Sequence, residues 1–196
     1  MKKSVAIICA YNEEKTIRNV IIAILKCKIF SEIVIVNDGS TDKTAEIINE
    51  FIGEPNILVI HLDINKGKGY AMSIGIENST SDYIVFIDAD LTEISAKSLK
   101  KPIMNLLTPL LNNEVDMVLG QPFITILNYK INPFKSLTGE RAVKRVDILP
   151  LLEKMKESRF GVETLINLYY QASGKIVKYI LIPELDHKSK FSKTTK

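Results

Sequence analysis

The chain has 196 residues, of which 46% are hydrophobic and 25% charged, with a formal net charge of +3. That length and balance fit one folded domain, or one domain with a small appendage, and exclude a chain disordered along its body. Its 26 basic residues face 23 acidic ones, and four lysines fall in the last ten positions, so the body is close to neutral and unlike a nucleic-acid-binding protein.

Residues 4–10 (S-V-A-I-I-C-A) read as a strand buried on both faces. A helix is expected over 13–25, with the acids Glu13 and Glu14 in its first turn. A second buried strand is expected over 32–36, followed by the polar turn N-D-G-S-T-D and a helix over 45–51. A third strand over 56–62 leads to N-K-G-K-G, which opens a helix reaching about residue 77. The fourth strand, 83–87, runs into Asp88 and Asp90. Repeated strand-helix alternation with short links predicts an α/β fold with a mainly parallel, doubly wound sheet.

Beyond the acidic pair, a helix over 95–111 is expected to be interrupted at Pro102 and Pro109, and a fifth strand covers 115–119. Residues 121–137, with two prolines and scattered aromatics, read as a partly ordered excursion or lid. Helices follow over 149–156 and 165–172, then a last strand over 176–183 with edge character from its terminal proline. Cys9 and Cys27 lack metal-type spacing and read as small, buried or semi-buried residues of a reducing compartment. No apolar run reaches the 18 residues of a membrane span and no signal-peptide core follows Met1, so the expected location is cytoplasmic. The basic tail, 187–196, reads as a solvated terminus or a peripheral membrane contact.

In an open parallel sheet, ligands bind beyond the carboxyl ends of the strands. Four such ends here carry polar residues: A-Y-N-E-E, N-D-G-S, N-K-G-K-G and D-A-D. If extended geometry continues through Ala89, Asp88 and Asp90 project from one face. Such a pair either holds a hard divalent cation or forms an Asp-rich turn that binds nothing, and the residues alone leave both open. Neither glycine-rich stretch fits a P-loop or a dinucleotide fingerprint.

The segments A-Y-N-E-E-K-T-I, V-N-D-G-S-T-D-K-T, N-K-G-K-G-Y-A, F-I-D-A-D and G-V-E-T-L, in this order and spacing, resemble the family 2 type of GT-A glycosyltransferases over roughly residues 4–183. Within that group the chain is similar to polyprenyl-phosphate sugar transferases and, through L-T-G-E-R-A-V with the later F-G-V-E, to glucosyl-3-phosphoglycerate synthase-like enzymes. The resemblance implies a nucleotide-binding half over 1–90, an acceptor half over 91–186, and transfer from a nucleotide-sugar, a UDP-sugar above all, to a phosphorylated small-molecule or lipid acceptor. It implies Ala10, Tyr11, Asn12, Glu14, Asp38, Lys68 and Asp88 as nucleotide-binding residues. It further implies Asp90 and His187 as ligands of Mg²⁺ or Mn²⁺, Asp90 and Glu163 as catalytic residues, and Gly139, Glu140 and Arg141 as acceptor contacts.

Each assignment has a plainer counterpart. Asp38 can be a turn residue, Lys68 a solvated helix start, Glu140 and Arg141 a surface ion pair, Glu163 a helix-start acid and His187 an exposed side chain. A sugar-nucleotide pyrophosphorylase expects a glycine-rich loop with arginine after strand one, where this chain has Tyr11 to Glu14. A nucleotide-sugar-binding regulator without transfer activity remains the alternative function, and a homodimer is left open.

Overall fold

The computed structural model describes residues 3–92, 94–121, 124–126, 129–131, 139–158, 161–182 and 186–187. Its strands are β1 (Ser4–Ala10), β2 (Glu32–Asp38), β3 (Ile57–Leu62), β4 (Tyr83–Asp88), β5 (Leu91–Thr92), β6 (Met117–Gln121), β7 (Ile124–Ile126), β8 (Tyr129–Ile131), β9 (Arg141–Lys144), β10 (Val177–Leu181) and β11 (Asp186–His187). Its helices are α1 (Ile17–Cys27), α2 (Thr44–Asn49), α3 (Lys68–Glu77), α4 (Ala96–Leu111), α5 (Arg145–Ile148), α6 (Leu152–Glu157) and α7 (Val162–Ala172). Seven strands form the main sheet in the order β10-β6-β9-β4-β1-β2-β3.

Strand alternation divides the core between two faces. Ala6, Ile8 and Ala10 of β1, with Ile33, Ile35, Val85 and Ile87, pack against the apolar stripes of α1 and α4. Val5, Ile7, Val34, Val36, Ile84 and Phe86 point the other way, toward α3, α6 and α7. Both faces are covered, which is why these strands read as continuous apolar runs.

Strands β1, β2, β3 and β4 pair in parallel, as do β6 and β10, matching the expected architecture. Strand β10, expected over 176–183, lies at the edge of the main sheet, as the terminal proline of that stretch suggested. An unforeseen strand, β9, runs antiparallel between β4 and β6. Its apolar content is only Ala142 and Val143, both without exposed surface, and the charges on either side hide it from a pattern reading.

Three further expectations are corrected. The helix after β1 begins at Ile17, because residues 13–16 form a turn bonded to the β2–α2 connection: the Glu13 amide donates to Thr44 Oγ1, at the start of α2, at 2.8 Å, and the Glu14 amide to Asp42 at 3.2 Å. Helix α4 is continuous through Pro102 and Pro109. Each interior proline costs on the order of 3 kcal/mol, but both are buried with Leu99, Ile103, Leu106, Leu107 and Leu110, and a Ser95–Ser98 capping box fixes the helix start. Finally, β4 ends at Asp88 and the chain turns at Ala89 and Asp90, so the two carboxylates are not consecutive residues of one strand face.

Of the 121–137 excursion, Gln121 closes β6, β7 and β8 form a small antiparallel pair, and the remainder lies outside the described residues, as does the tail beyond His187. Among the described residues no helix is long and apolar enough to cross a membrane.

Candidate active site

The carboxyl ends of β1, β2 and β4 lie side by side, with Cys9 opposite Asp88 and Ala10 opposite Asn37. By alternation Cys9, Asp38 and Asp88 fall on the face covered by α3 and α7. Both helices begin there, so two positive helix ends converge on the strand termini.

The loop after β1 is laced to the loop after β2. Asn12 takes a left-handed backbone, φ 57°, which asparagine tolerates better than most residues. Its amide donates to Ser40 Oγ at 3.0 Å, and its side-chain oxygen accepts from the Thr41 amide at 2.8 Å. Glu14 accepts from the Lys43 amide at 3.2 Å and donates its own amide to Asp42 at 3.2 Å. Burial works against an ionised Asp42, but donors from Thr44 and the Glu14 amide outweigh it and hold the carboxyl below its usual range. Asn12 and Glu14 therefore brace this corner, Ala10 is buried beneath it, and Tyr11 stands 44% exposed on its rim. An exposed aromatic at this point can lie against a planar base.

Asp38 is 3% exposed, and its two oxygens accept from the amides of Lys66 at 2.8 Å and Gly67 at 2.9 Å. A side chain at Gly39, φ 65°, would overlap the backbone of Ile64 and Asn65, so glycine is what lets these two loops touch. In this way the N-D-G-S turn holds the start of α3 and aims Lys68.

Lys68 Nζ lies 2.8 Å from Asp88 Oδ1 and 2.8 Å from Glu163 Oε1. Its side chain is 33% exposed, so the bridge is reachable from solvent. Burial alone would favour the neutral amine, but the two carboxylates outweigh it and raise the lysine above its ordinary range. Cys9 lies beside the same charges and is pushed up to about 12, by burial first, with Lys68 acting the other way and the acids Asp38, Asp88 and Glu163 adding to the rise. Its thiol is protonated at neutral pH.

Behind this bridge stands a second cation. Arg141 has no exposed surface, and its Nη1 donates to the Glu163 carbonyl and to Asn167 Oδ1, each at 3.3 Å. This corrects the surface ion pair: β9 sits between two strands, which encloses Arg141, and Glu140 is only 3% exposed. Gly139 passes so close to Asp88 that a Cβ there would overlap the Asp88 carboxylate.

Asp90 is half-buried on the turn after β4. The next residue, Leu91, pairs with His187 across the β5–β11 ladder, so the backbone brings position 187 alongside the D-x-D turn. The His187 side chain lies outside the described residues. Among the described residues no three His, Cys, Asp or Glu side chains cluster as a ready metal cage. A magnesium-type ion bound mainly by substrate phosphates and water needs only one or two protein ligands, so the donors here fit that kind of site.

Sequence reasoning missed Asn167 and the burial of Arg141, and it read Cys9 as buried or semi-buried, as it is, without placing it beside the Lys68 bridge. Asn167 carried a usable signal, since it is a lone amide in L-I-N-L-Y-Y, one helical turn after Glu163. Cys9 and Arg141 depended on strand register, which no local pattern supplies.

The carboxyl edge of this mainly parallel α/β sheet is thus lined by acidic and lysine-bearing loops. The family model for Glycosyl transferase family 2 matches residues 5–157, and the chain belongs to that family. Poly-beta-1,6-N-acetyl-D-glucosamine synthase of Staphylococcus epidermidis is 36% identical over 85 residues, 43% of this chain and 21% of the relative. The protein of the same name from Staphylococcus aureus strain COL is likewise 36% identical over 85 residues, and the match again spans 21% of its length. Glucosyl-3-phosphoglycerate synthase from Mycobacterium tuberculosis, solved with Mg²⁺ and UDP, superposes with a TM-score of 0.72 at 20% identity, covering 96% of this chain and 72% of that one. TarS 1-349 of S. aureus gives 0.67 at 18% identity, covering 93% and 59%. At these identities the structural likenesses show the fold.

Proposed function

We propose that this chain transfers a glycosyl group from a nucleotide-sugar, with UDP as the nucleotide, to a hydroxyl of a phosphorylated acceptor. The observation that carries the reading is the Lys68 bridge, which joins Asp88, at the donor end of β4, to Glu163, at the start of α7. Residues 1–90 then form the donor half and 91–186 the acceptor half.

In this reading Tyr11 lies against the base, the braced loops at Asn12, Glu14 and Asp38 shape the nucleoside pocket, and Asp88 faces the ribose. Mg²⁺ or Mn²⁺, held by Asp90 and His187, would act as a Lewis acid on the leaving diphosphate. Glu163 stands on the acceptor side with the Lys68 ammonium balancing its charge. If transfer inverts the anomeric centre, Glu163 takes the proton of the acceptor hydroxyl as the bond to the sugar forms; if it retains, Glu163 orients that hydroxyl. The mycobacterial synthase has been solved with Mn²⁺, UDP-glucose and phosphoglyceric acid together, which supports a donor, cation and acceptor of these classes. A soluble phosphorylated acceptor and a polyprenyl phosphate share the recognised chemistry, and Gly139, beside Asp88, and Glu140, next in the chain, border the acceptor side.

The test is UDP release from a panel of UDP-, GDP- and dTDP-sugars with Mg²⁺ or Mn²⁺, with and without phosphorylated acceptors. Release that requires a UDP-sugar, a divalent cation and an acceptor supports transfer. Tight UDP binding with no release from any donor would favour the regulator instead.

A further inference from the structure

A buried arginine in a sheet is costly unless its donors are satisfied, and an aliphatic side chain would fill a strand position between β4 and β6 at no such cost. Arg141 is nevertheless among the largest side chains with no exposed surface. Burial lowers its pKa, while Glu163, Asp88 and Glu140 act in the opposite direction. Its Nη1 reaches two points on α7, the Glu163 carbonyl and the Asn167 amide oxygen. Those residues are four apart and stand on one helix face. Helix α7 has no side-chain cap at its N-cap, Gly161, so no capping side chain fixes its first-turn amides. Arg141 instead ties a first-turn carbonyl of the helix to β9.

We propose that Arg141 and Asn167 are positioning residues that fix the first turn of α7 and thereby aim the Glu163 carboxylate at the acceptor hydroxyl. This rests on the reading of Glu163 as the acceptor-side acid. The two residues act through Glu163 and touch neither donor nor acceptor. Their removal lowers turnover and leaves nucleotide binding unchanged.

The test is a double-mutant cycle. Asn167→Ala and Arg141→Lys are each made in the wild type and in Glu163→Gln, and kcat, the donor KM and UDP affinity are measured. Displacing a reacting group by about an ångström costs on the order of a hundredfold, so we expect kcat to fall roughly ten- to hundredfold with donor KM and UDP affinity within about twofold of wild type. In the Glu163→Gln background the same substitutions should cost nothing further. Asn167→Ala carries the test if Arg141→Lys does not fold. Unchanged kcat in Asn167→Ala, an equal loss in both backgrounds, or a loss confined to donor KM would each overturn the positioning role. A wild type in which Glu163→Gln leaves kcat untouched would instead overturn the reading of Glu163 itself.

Discussion

Lys68 and Glu163 meet at 2.8 Å although they begin two different helices, and the same ammonium reaches Asp88 at 2.8 Å. Replacing Lys68 with Met leaves two carboxylates facing one another without their shared cation. Turnover should fall on the order of a hundredfold or more, as when one preorganised electrostatic partner is removed from a site. The stability effect carries a pH signature. Lys68 titrates above its ordinary 10.5 when folded, so its bridge contributes fully below that value and is lost as pH rises through the folded pKa. Urea melts should show Lys68→Met less stable than wild type at pH 7 to 9, with the gap closing only at strongly alkaline pH; a pH-independent gap would remove the ion pair as its cause.

Gly139 lies against the Asp88 carboxylate with no room for a methyl group. Gly139→Ala must turn the Asp88 carboxylate away from Lys68 or shift the loop, at a cost of roughly 1–3 kcal/mol for overpacking. Donor turnover should fall together with thermal stability, and a Gly139→Ala enzyme with wild-type kinetics would show that the approach is not needed.

Asp38 bonds two amides that open α3, and bonds to a charged acceptor contribute about 1.5–3 kcal/mol each. Asp38→Ala leaves both donors without their carboxylate in a buried corner. We expect a stability loss of about 3–6 kcal/mol by urea denaturation, with lost activity because Lys68 is no longer aimed. A loss below about 0.5 kcal/mol would place the loop's support elsewhere.

Cys9 should be inert for an electrostatic reason. Burial first, then the surrounding carboxylates, hold its thiol near 12 against the opposing pull of Lys68, and only the thiolate attacks an alkylating agent. Iodoacetamide at pH 8 should leave Cys9 unlabelled in the native protein and modify it in guanidinium, as read by peptide mass. Rapid native labelling would contradict this environment.

The fold was legible because burial on both sheet faces leaves long apolar strands, and glycine, aspartate and asparagine mark the turns between them. Strands 1 to 4 and their polar ends, Lys68 and Asp88 among them, could be read directly, whereas Glu163 entered only through the family resemblance. What the pattern could not supply was register. The Cys9–Asp88 pairing, the insertion of β9 and the enclosure of Arg141 arise only when strands distant in sequence align. Local propensity misled at Pro102 and Pro109, where core burial overrides it, and at Glu13 and Glu14, where tertiary hydrogen bonds to the next loop replace the first helical turn.

In the proposed function the turn after β4 holds a cation-dependent nucleotide-diphosphate site, with Asp90 as its carboxylate and position 187 brought alongside by the β5–β11 ladder. Calorimetry of UDP binding tests it most directly, with Mn²⁺, with EDTA, and with Asp90→Ala in Mn²⁺. The account predicts binding in Mn²⁺, at least a tenfold weaker affinity in EDTA, about 1.4 kcal/mol, and a similar loss in Asp90→Ala. Equal UDP affinity under all three conditions would contradict it.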